Sequence, residues 1–157
     1  MSEAPELAQK LKAEGEKYTK FFSALSESEW NTEVYTEGAV WTIRNILAHF
    51  VTSERAFVKL FEGIRQGGPG VSADFVIDRY NASQQARTRD ITPAELLDQY
   101  RRVREVMVEW VSQISDSDLE KIGRHPFLGE TSLREMIRMV YIHNQIHYRD
   151  LRRALIS

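Results

Sequence analysis

The 157-residue sequence predicts an all-α fold: a four-helix bundle with an additional helical excursion between the second and third long helices. Three observations lead to this prediction. Four long segments carry apolar residues at alternating steps of three and four, the spacing of one helix face. Helix-capping residues precede three of these segments. No stretch alternates apolar and polar residues between turn signals, as a half-buried strand would. With neither a repeat nor a long linker present, we expect residues 1–157 to form a single domain.

The first long helix is predicted from an apolar stripe near the amino terminus. The stripe consists of Ala8, Leu11, Gly15, Tyr18, Phe22 and Leu25. The segment Ser26-Glu-Ser-Glu29 then has the spacing of a capping box, which predicts a short helical turn. We expect the chain to be irregular through Thr32–Gly38.

The second long helix is predicted to begin after Thr42, a residue suited to the N-cap position. Its apolar stripe is broad and consists of Ile43, Ile46, Leu47, Phe50, Phe57, Phe61 and Ile64. The run Gly67-Gly68-Pro69-Gly70 ends it, because glycine and proline interrupt helices. The following segment, 74–89, is polar and weakly periodic, and we interpret it as the helical excursion across the end of the bundle.

The third long helix has three start signals in Thr92-Pro93-Ala94-Glu95: an N-cap, a proline at the first helical position and a glutamate in the third. Its apolar face runs from Leu96 to Ile114, and Ser115-Asp-Ser-Asp118 is predicted to break it. A loop containing Gly123, His125 and Gly129 should follow. The capping box Ser132-Leu-Arg-Glu135 then predicts a last helix that continues to the end of the chain.

The composition excludes several classes of function. Lys+Arg 21 against Asp+Glu 23 leaves a net charge of -2, which supplies no basic surface for nucleic acid or an anionic membrane. No apolar run has the length of a signal peptide or of the roughly 20 residues that span a bilayer. The chain has no cysteine, so any metal must be held by His, Asp or Glu. We therefore expect a cytoplasmic protein that binds neither nucleic acid nor membranes.

Three of the four histidines form a candidate metal site. His143 and His147 stand four residues apart on the last predicted helix, so their imidazoles share one face. His49 lies on the inward face of the second predicted helix. Three charged imidazoles would be costly to bury, whereas three neutral ones can share a cation. Structural zinc sites close with four protein ligands, so three would indicate a catalytic site with open positions.

Other roles for these residues stay open at this point. A buried histidine can instead bond a carbonyl or a tyrosine, and Tyr141 and Tyr148 are near in sequence. Trp41 and these two tyrosines are candidates either for a cavity lining or for the core. His125, in its loop, is interpreted as a surface or helix-capping residue, with support of the site as the alternative.

Three islands of sequence carry a resemblance to a known family. They are Trp41-Thr-Ile-Arg-Asn-Ile-Leu-Ala-His49, His125-Pro-Phe-Leu-Gly129 with Ser132-Leu-Arg-Glu135 behind it, and His143-Asn-Gln-Ile-His147. In these islands the chain resembles DinB-like proteins, a superfamily that includes YfiT-type hydrolases and bacillithiol or mycothiol S-transferases. The resemblance implies a four-helix bundle in which His49, His143 and His147 hold a divalent metal such as zinc or nickel. It also implies homodimers and, in characterised relatives, transfer of a low-molecular-weight thiol to an electrophile.

We therefore expect a metal-dependent thiol S-transferase or hydrolase acting on a small molecule. The alternatives are a non-catalytic metal-binding stress or regulatory protein, and a helical interaction module whose histidines are merely buried. Asp150 stands where relatives often have Gln, and segment 67–90 matches no family pattern; both departures bear on the substrate. Asp150 lies one turn beyond His147 and is expected to orient a ligand, water or substrate. Apolar residues off the stripes would supply a patch for a homodimer: Phe21, Val58 and Val111.

Overall fold

The computed structural model describes residues 2–157, and its four long helices form the predicted bundle. The helices are α1 (Ala4–Ser23), α2 (Ile43–Arg65), α3 (Ile77–Thr88), α4 (Pro93–Gln113), α5 (Asp116–Leu119) and α6 (Leu133–Ile156). The strands are β1 (Glu33–Tyr35), β2 (Trp41–Thr42), β3 (Ile122–His125) and β4 (Gly129–Ser132), and Glu29–Asn31 forms a 3-10 turn. Helices α1, α2, α4 and α6 make the bundle. Among the described residues, no helix is long and apolar enough to cross a membrane.

The predicted caps start the long helices. The Thr42 side chain accepts a hydrogen bond from the Asn45 amide, and the Asn45 side chain accepts one from the Thr42 amide. Thr92 and Glu95 make the same reciprocal pair at the start of α4. Ser132 accepts from the amide three residues later at the start of α6. Each cap satisfies backbone N–H groups that lack a partner inside the helix, so helix starts could be located from local sequence.

Two segments predicted to be irregular are short β-hairpins. The prediction for Thr32–Gly38 is wrong because β1 in this segment pairs antiparallel with β2, with an irregular register. The predicted loop around Gly123 is likewise a regular antiparallel pair of β3 and β4. Strands of two to four residues are too short for an alternating pattern to stand out. Ser115–Asp118 ends α4 as predicted, but it also caps the four-residue helix α5.

Helix α3 confirms the predicted excursion and is held mainly by polar contacts. Gln85 and Asn45 of α2 join through two hydrogen bonds of 2.8 and 2.9 Å. The Arg44 guanidinium donates to the carbonyl oxygens of Thr88 and Ile91 at the end of α3. Thr88 is the one buried residue of this helix. The weak apolar periodicity of the sequence thus reflects a helix that buries little apolar surface.

The bundle core has two clusters of buried apolar side chains and a buried ion pair. The largest buried side chains include Tyr18, Phe22, Phe50, Phe61, Tyr100 and Met107. Arg104 of α4 donates to Glu54 of α2 over 2.6 and 3.1 Å and to the Leu11 carbonyl of α1 over 2.7 Å. A Cβ at Gly15 would lie 2.6 Å from Arg104 Cγ, so glycine is needed there. This explains a glycine within the first apolar stripe.

The patch proposed for a homodimer is not fully available. Val111 is completely buried in the core of the bundle. Phe21 is partly covered by edge contacts with Phe22 and Tyr148, whose ring centroids lie 5.4 and 5.1 Å away. The apolar stripe of α4 is wider than three-and-four spacing suggested, so Val111 belongs to the core.

Candidate metal centre

The structure brings together the three histidines that the sequence singled out. His49 projects from α2, and His143 and His147 project from adjacent turns of α6. His143 Nε2 lies 3.2 Å from His49 Nε2 and 3.0 Å from His147 Nε2. His49 is buried, and the other two imidazoles are half-buried. One nitrogen of each ring therefore points to a common centre.

Tyr35 and Asp150 determine which nitrogen of His147 carries the proton. The Tyr35 hydroxyl donates to Asp150 Oδ2 over 2.6 Å and lies 2.8 Å from His147 Nδ1. Burial, together with the hydrogen bond to Asp150, raises the pKa of Tyr35, so the phenol stays protonated. A phenol has one proton, so its oxygen must accept from His147 Nδ1–H. The lone pair of His147 Nε2 is then left facing the centre of the cluster.

Ser53 makes the corresponding contact with His49. Its Oγ lies 3.1 Å from His49 Nδ1, one helical turn further along α2. When Ser53 accepts this hydrogen bond, His49 Nε2 is also an acceptor that faces the centre. Histidines that bind metals in proteins usually donate their second N–H in this way, which fixes the ring orientation.

The arrangement of donors fits a divalent cation. Two nitrogens bound at about 2.0–2.1 Å to one tetrahedral ion lie roughly 3.4 Å apart, close to the 3.0 and 3.2 Å observed. Unprotonated nitrogens at these distances repel each other unless a proton or a cation lies between them. Among residues 2–157, the group of potential ligands consists of the three histidines and contains no carboxylate. The cluster can hold a divalent metal ion with three neutral ligands.

Burial keeps these imidazoles neutral. It lowers the pKa of His143 to about 3 and that of His147 to about 4, the latter against the opposing effect of Asp150. Burial and the two neighbouring imidazoles lower the pKa of His49 well below its ordinary value. Neutral imidazole is the form that binds metals. The site is therefore in its ligating protonation state at neutral pH.

Chelator-treated protein should lose stability as the pH falls from about 6.5 to about 4. Unfolded histidines take up protons near pH 6.5, whereas burial lowers the pKa of folded His125 and His147 to about 4 and of His143 to about 3. Between these pH values the unfolded state binds more protons than the folded state. Each such histidine therefore lowers the unfolding free energy by about 1.4 kcal/mol for each unit by which the pH falls.

Urea unfolding of the chelator-treated protein between about pH 7.5 and 5 measures this loss. His125→Asn removes one buried imidazole. The variant should therefore lose about 1.4 kcal/mol less unfolding free energy per pH unit than wild type. An unfolding free energy that stays constant over this range would contradict the prediction.

The histidine cluster forms part of the wall of a cavity of about 340 Å³. Most of the other lining side chains are apolar: Trp41, Ala56, Phe57, Leu60, Val71, Phe75, Ile77, Tyr80, Pro126 and Phe127, with Ser53 and Asn81. Among the aromatic candidates, Trp41 lines the cavity. Tyr141 packs against the core, and Tyr148 packs on Tyr18. A volume of this size suits a small-molecule site.

His125 is buried, and its interpretation as a surface or helix-capping residue is wrong. It is 2 % exposed and stacks on Phe57 with ring centroids 5.4 Å apart. Its Nδ1 accepts from the backbone amides of Phe127 and Leu128, which shapes the turn between β3 and β4. Phe127, in turn, lies beside His143 at a centroid distance of 5.9 Å. His125 thus supports the cavity wall and is not part of the histidine cluster.

Sequence reasoning missed two residues that contact the candidate ligands. Tyr35 lies in a segment predicted to be irregular, 112 residues from His147, and no local pattern links them. Ser53 could have been found, because it stands four residues after His49 on a predicted helix. Asp150 contacts the Tyr35 hydroxyl, which in turn contacts His147, so the predicted orienting role of Asp150 would act through Tyr35.

Tyr35→Phe should weaken metal binding about 10- to 100-fold, the usual cost of removing a partner of a ligating histidine. Without the hydroxyl, His147 Nδ1 loses the acceptor that keeps Nε2 unprotonated. Competition with a chromophoric chelator measures the affinity. Tyr148→Phe removes the same atom from a tyrosine outside the cluster and should leave the affinity within about twofold. Equal affinities of the two variants would show that the Tyr35 contact is unimportant.

Comparisons with known proteins identify a matching family model and a similar fold. The family model of the DinB superfamily matches residues 10–151. The fold is similar to that of YfiT from Bacillus subtilis, described as a probable metal-dependent hydrolase with an unusual four-helix bundle topology. That match has a TM-score of 0.78 and 13% sequence identity, and covers 96% of this chain and 85% of the other. At this identity the similarity shows a shared fold. No curated protein matches the chain.

Proposed function

Because the chain belongs to the DinB superfamily, we propose that it is a divalent-metal-dependent hydrolase or thiol S-transferase whose metal is held by His49, His143 and His147. The observation that carries the proposal is the convergence of three Nε2 atoms at the wall of a cavity, with no fourth protein ligand among residues 2–157. Three protein ligands are typical of catalytic sites, whereas structural sites close with four.

The donor set limits the metal and its chemistry. Imidazole nitrogens suit zinc and nickel better than magnesium or calcium, which prefer oxygen ligands. A divalent ion bound by three neutral ligands would lower the pKa of a bound water or thiol and so supply a nucleophile at neutral pH.

The residues of the chain have separate tasks in this proposal. Tyr35 and Asp150 hold His147 in the tautomer that leaves Nε2 free. Ser53 would do the same for His49 by accepting a hydrogen bond from Nδ1–H. The mostly apolar lining offers water in the cavity few hydrogen-bond partners. The cavity lining includes no carboxylate that could act as a general base. This favours a nucleophile that loses its proton to solvent on binding over one that needs a protein base.

Two nucleophiles, water and thiol, remain candidates, and different observations favour them. YfiT, with the same fold, is described as a probable hydrolase. The sequence resemblance favours a thiol. A non-catalytic metal-binding protein is the alternative, and the site's position at a cavity wall argues against it, because storage of a metal needs no room for a second molecule.

Metal-loaded protein purified without a histidine tag tests the proposal. We expect hydrolysis of a 4-nitrophenyl ester, or conjugation of a small thiol to an aryl halide, at least about tenfold faster than with chelator-treated protein. Dependence on the thiol separates transfer from hydrolysis. Metal-loaded protein that catalyses neither reaction, nor amide hydrolysis, would favour the non-catalytic alternative.

A further inference from the structure

Segment 71–81 forms one wall of the cavity. It covers part of the connection after α2 and the first five residues of α3. It contributes five lining residues: Val71, Phe75, Ile77, Tyr80 and Asn81. The bundle helices, β2 and the β3–β4 turn contribute the histidines, Ser53 and the remaining apolar side chains. This segment therefore shapes the space beside the histidines.

This wall offers no charge to a ligand. The lining side chains of the whole cavity include no Asp, Glu, Lys or Arg. The charged residues of the segment, Asp74, Asp78 and Arg79, are exposed and do not line the cavity. An ion that entered would lose its hydration without gaining a partner on this wall, which is strongly unfavourable.

The polar groups on this wall are the Asn81 side chain and the Tyr80 hydroxyl. The Asn81 side chain is half-buried, and it makes no hydrogen bond with any of residues 2–157. An amide can both donate and accept, so it can bind a carbonyl, hydroxyl or nitro group. The volume of about 340 Å³ corresponds to on the order of ten non-hydrogen atoms at about 30 Å³ each.

We propose that the wall formed by segment 71–81 selects an uncharged, largely apolar substrate, aromatic or aliphatic, whose one polar group bonds Asn81. This inference rests on the proposed function only in calling the ligand a substrate. In a hydrolytic reaction the ligand is the ester or amide; in a transfer reaction it is the electrophile, and the thiol approaches from outside this wall.

Three probes of nearly equal size test the selection by charge: 4-nitrobenzyl alcohol, 4-nitrobenzoate and 4-nitrobenzylamine, which are neutral, anionic and cationic at neutral pH. Calorimetric titration is carried out on chelator-treated and on metal-loaded protein. In the chelator-treated form the neutral probe should bind at least about tenfold more tightly than either ion. Because that form contains no metal, failure of the proposed catalytic function would not affect this result.

A matched pair of variants tests whether the probe binds against the wall formed by segment 71–81. Ile77→Asp puts a carboxylate on the cavity wall, in the first turn of α3, where an acidic residue favours the helix. It should weaken binding of the neutral probe at least about tenfold and reverse the preference towards the cation. Val76→Asp puts the same charge at the preceding N-cap position, where Val76 is 47% exposed and outside the lining, and should change binding less than about twofold.

Ala56→Phe gives a second, independent test from the α2 side of the cavity. The larger side chain occupies the space of the ligand and should abolish binding of the neutral probe, with the far-ultraviolet circular dichroism unchanged. If Ile77→Asp loses helical structure, Ala56→Phe decides the question. The proposal is overturned if, in the chelator-treated protein, an ionic probe binds as tightly as the neutral one, if no probe binds at millimolar concentration, or if the folded Ile77→Asp and Ala56→Phe variants bind like wild type.

Discussion

His143→Ala should reduce the bound divalent metal from about one ion per chain to less than about a tenth of that amount. His143 Nε2 lies within 3.2 Å of the corresponding nitrogens of both other histidines, so this change removes the central donor. Loss of a residue that only orients a ligand already costs about 10- to 100-fold in affinity, and loss of the ligand itself should cost more. Metal content after gel filtration, measured by mass spectrometry, gives the result.

The same variant should separate metal binding from folding. Wild-type protein with free metal at about 100 times its dissociation constant gains about 2.7 kcal/mol, which raises the melting temperature by roughly 5–10 °C for a chain of this size. A chelator should remove that increase in wild type and have no effect on His143→Ala. His125→Asn, which replaces a buried histidine outside the cluster and keeps an acceptor for the turn amides, should retain the metal. One ion per chain in His143→Ala would refute the site.

Glu54→Gln should destabilise the fold by about 3–5 kcal/mol, the usual cost of removing one partner of a buried ion pair. The side chains of Arg104 and Glu54 are only 5% and 2% exposed. Although burial opposes its charge, Glu54 raises the pKa of Arg104, which stays positive. The variant therefore leaves a charge in the core without its counter-charge. Urea unfolding monitored by circular dichroism measures the loss.

Two further variants identify the cause. Glu54→Leu combined with Arg104→Met removes both charges, and it should be much less destabilising than Glu54→Gln, because apolar replacement of a buried pair is often neutral or stabilising. Asp98→Asn breaks the pair of Asp98 and Arg101, whose side chains are 63% and 46% exposed, and should cost at most about 1 kcal/mol. A loss for Glu54→Gln no larger than that for Asp98→Asn would show that the buried pair contributes little.

The histidine cluster and the Glu54–Arg104 ion pair, which give the two largest expected effects, differ in how far they could be predicted from the sequence. His143 and His147 were identified because they lie four residues apart, a spacing that places side chains on one helix face whatever the rest of the fold does. His49 was identified from its place on the inward face of the second predicted helix. The ion pair was not identified, because Glu54 and Arg104 are separated by 50 residues and each resembles an ordinary surface charge in sequence. The sequence placed Gly15 in the apolar stripe, but only the structure shows why a glycine is needed there: the Arg104 side chain leaves no room for a Cβ.

The wrong predictions for the two hairpins and for His125 share one cause. The β1–β2 and β3–β4 hairpins contain strands of two to four residues, whose pairing depends on where α2 and α6 place their ends. His125 was interpreted from its position beside a proline in a predicted loop, yet that hairpin packs it against Phe57 of α2. Loop residues are hard to assign as buried or exposed from sequence, since burial depends on what packs over them.

The sequence by itself determined the four long helices, the excursion between the second and third, and the shared face of His143 and His147. Caps, glycine stops and apolar periodicity act within about four residues, so they can be interpreted without the fold. Only the tertiary structure decided that Tyr35 reaches His147, that Arg104 pairs with Glu54, and that segment 71–81 lines the cavity. Those contacts form between residues distant in the chain, and their geometry follows from how the helices pack.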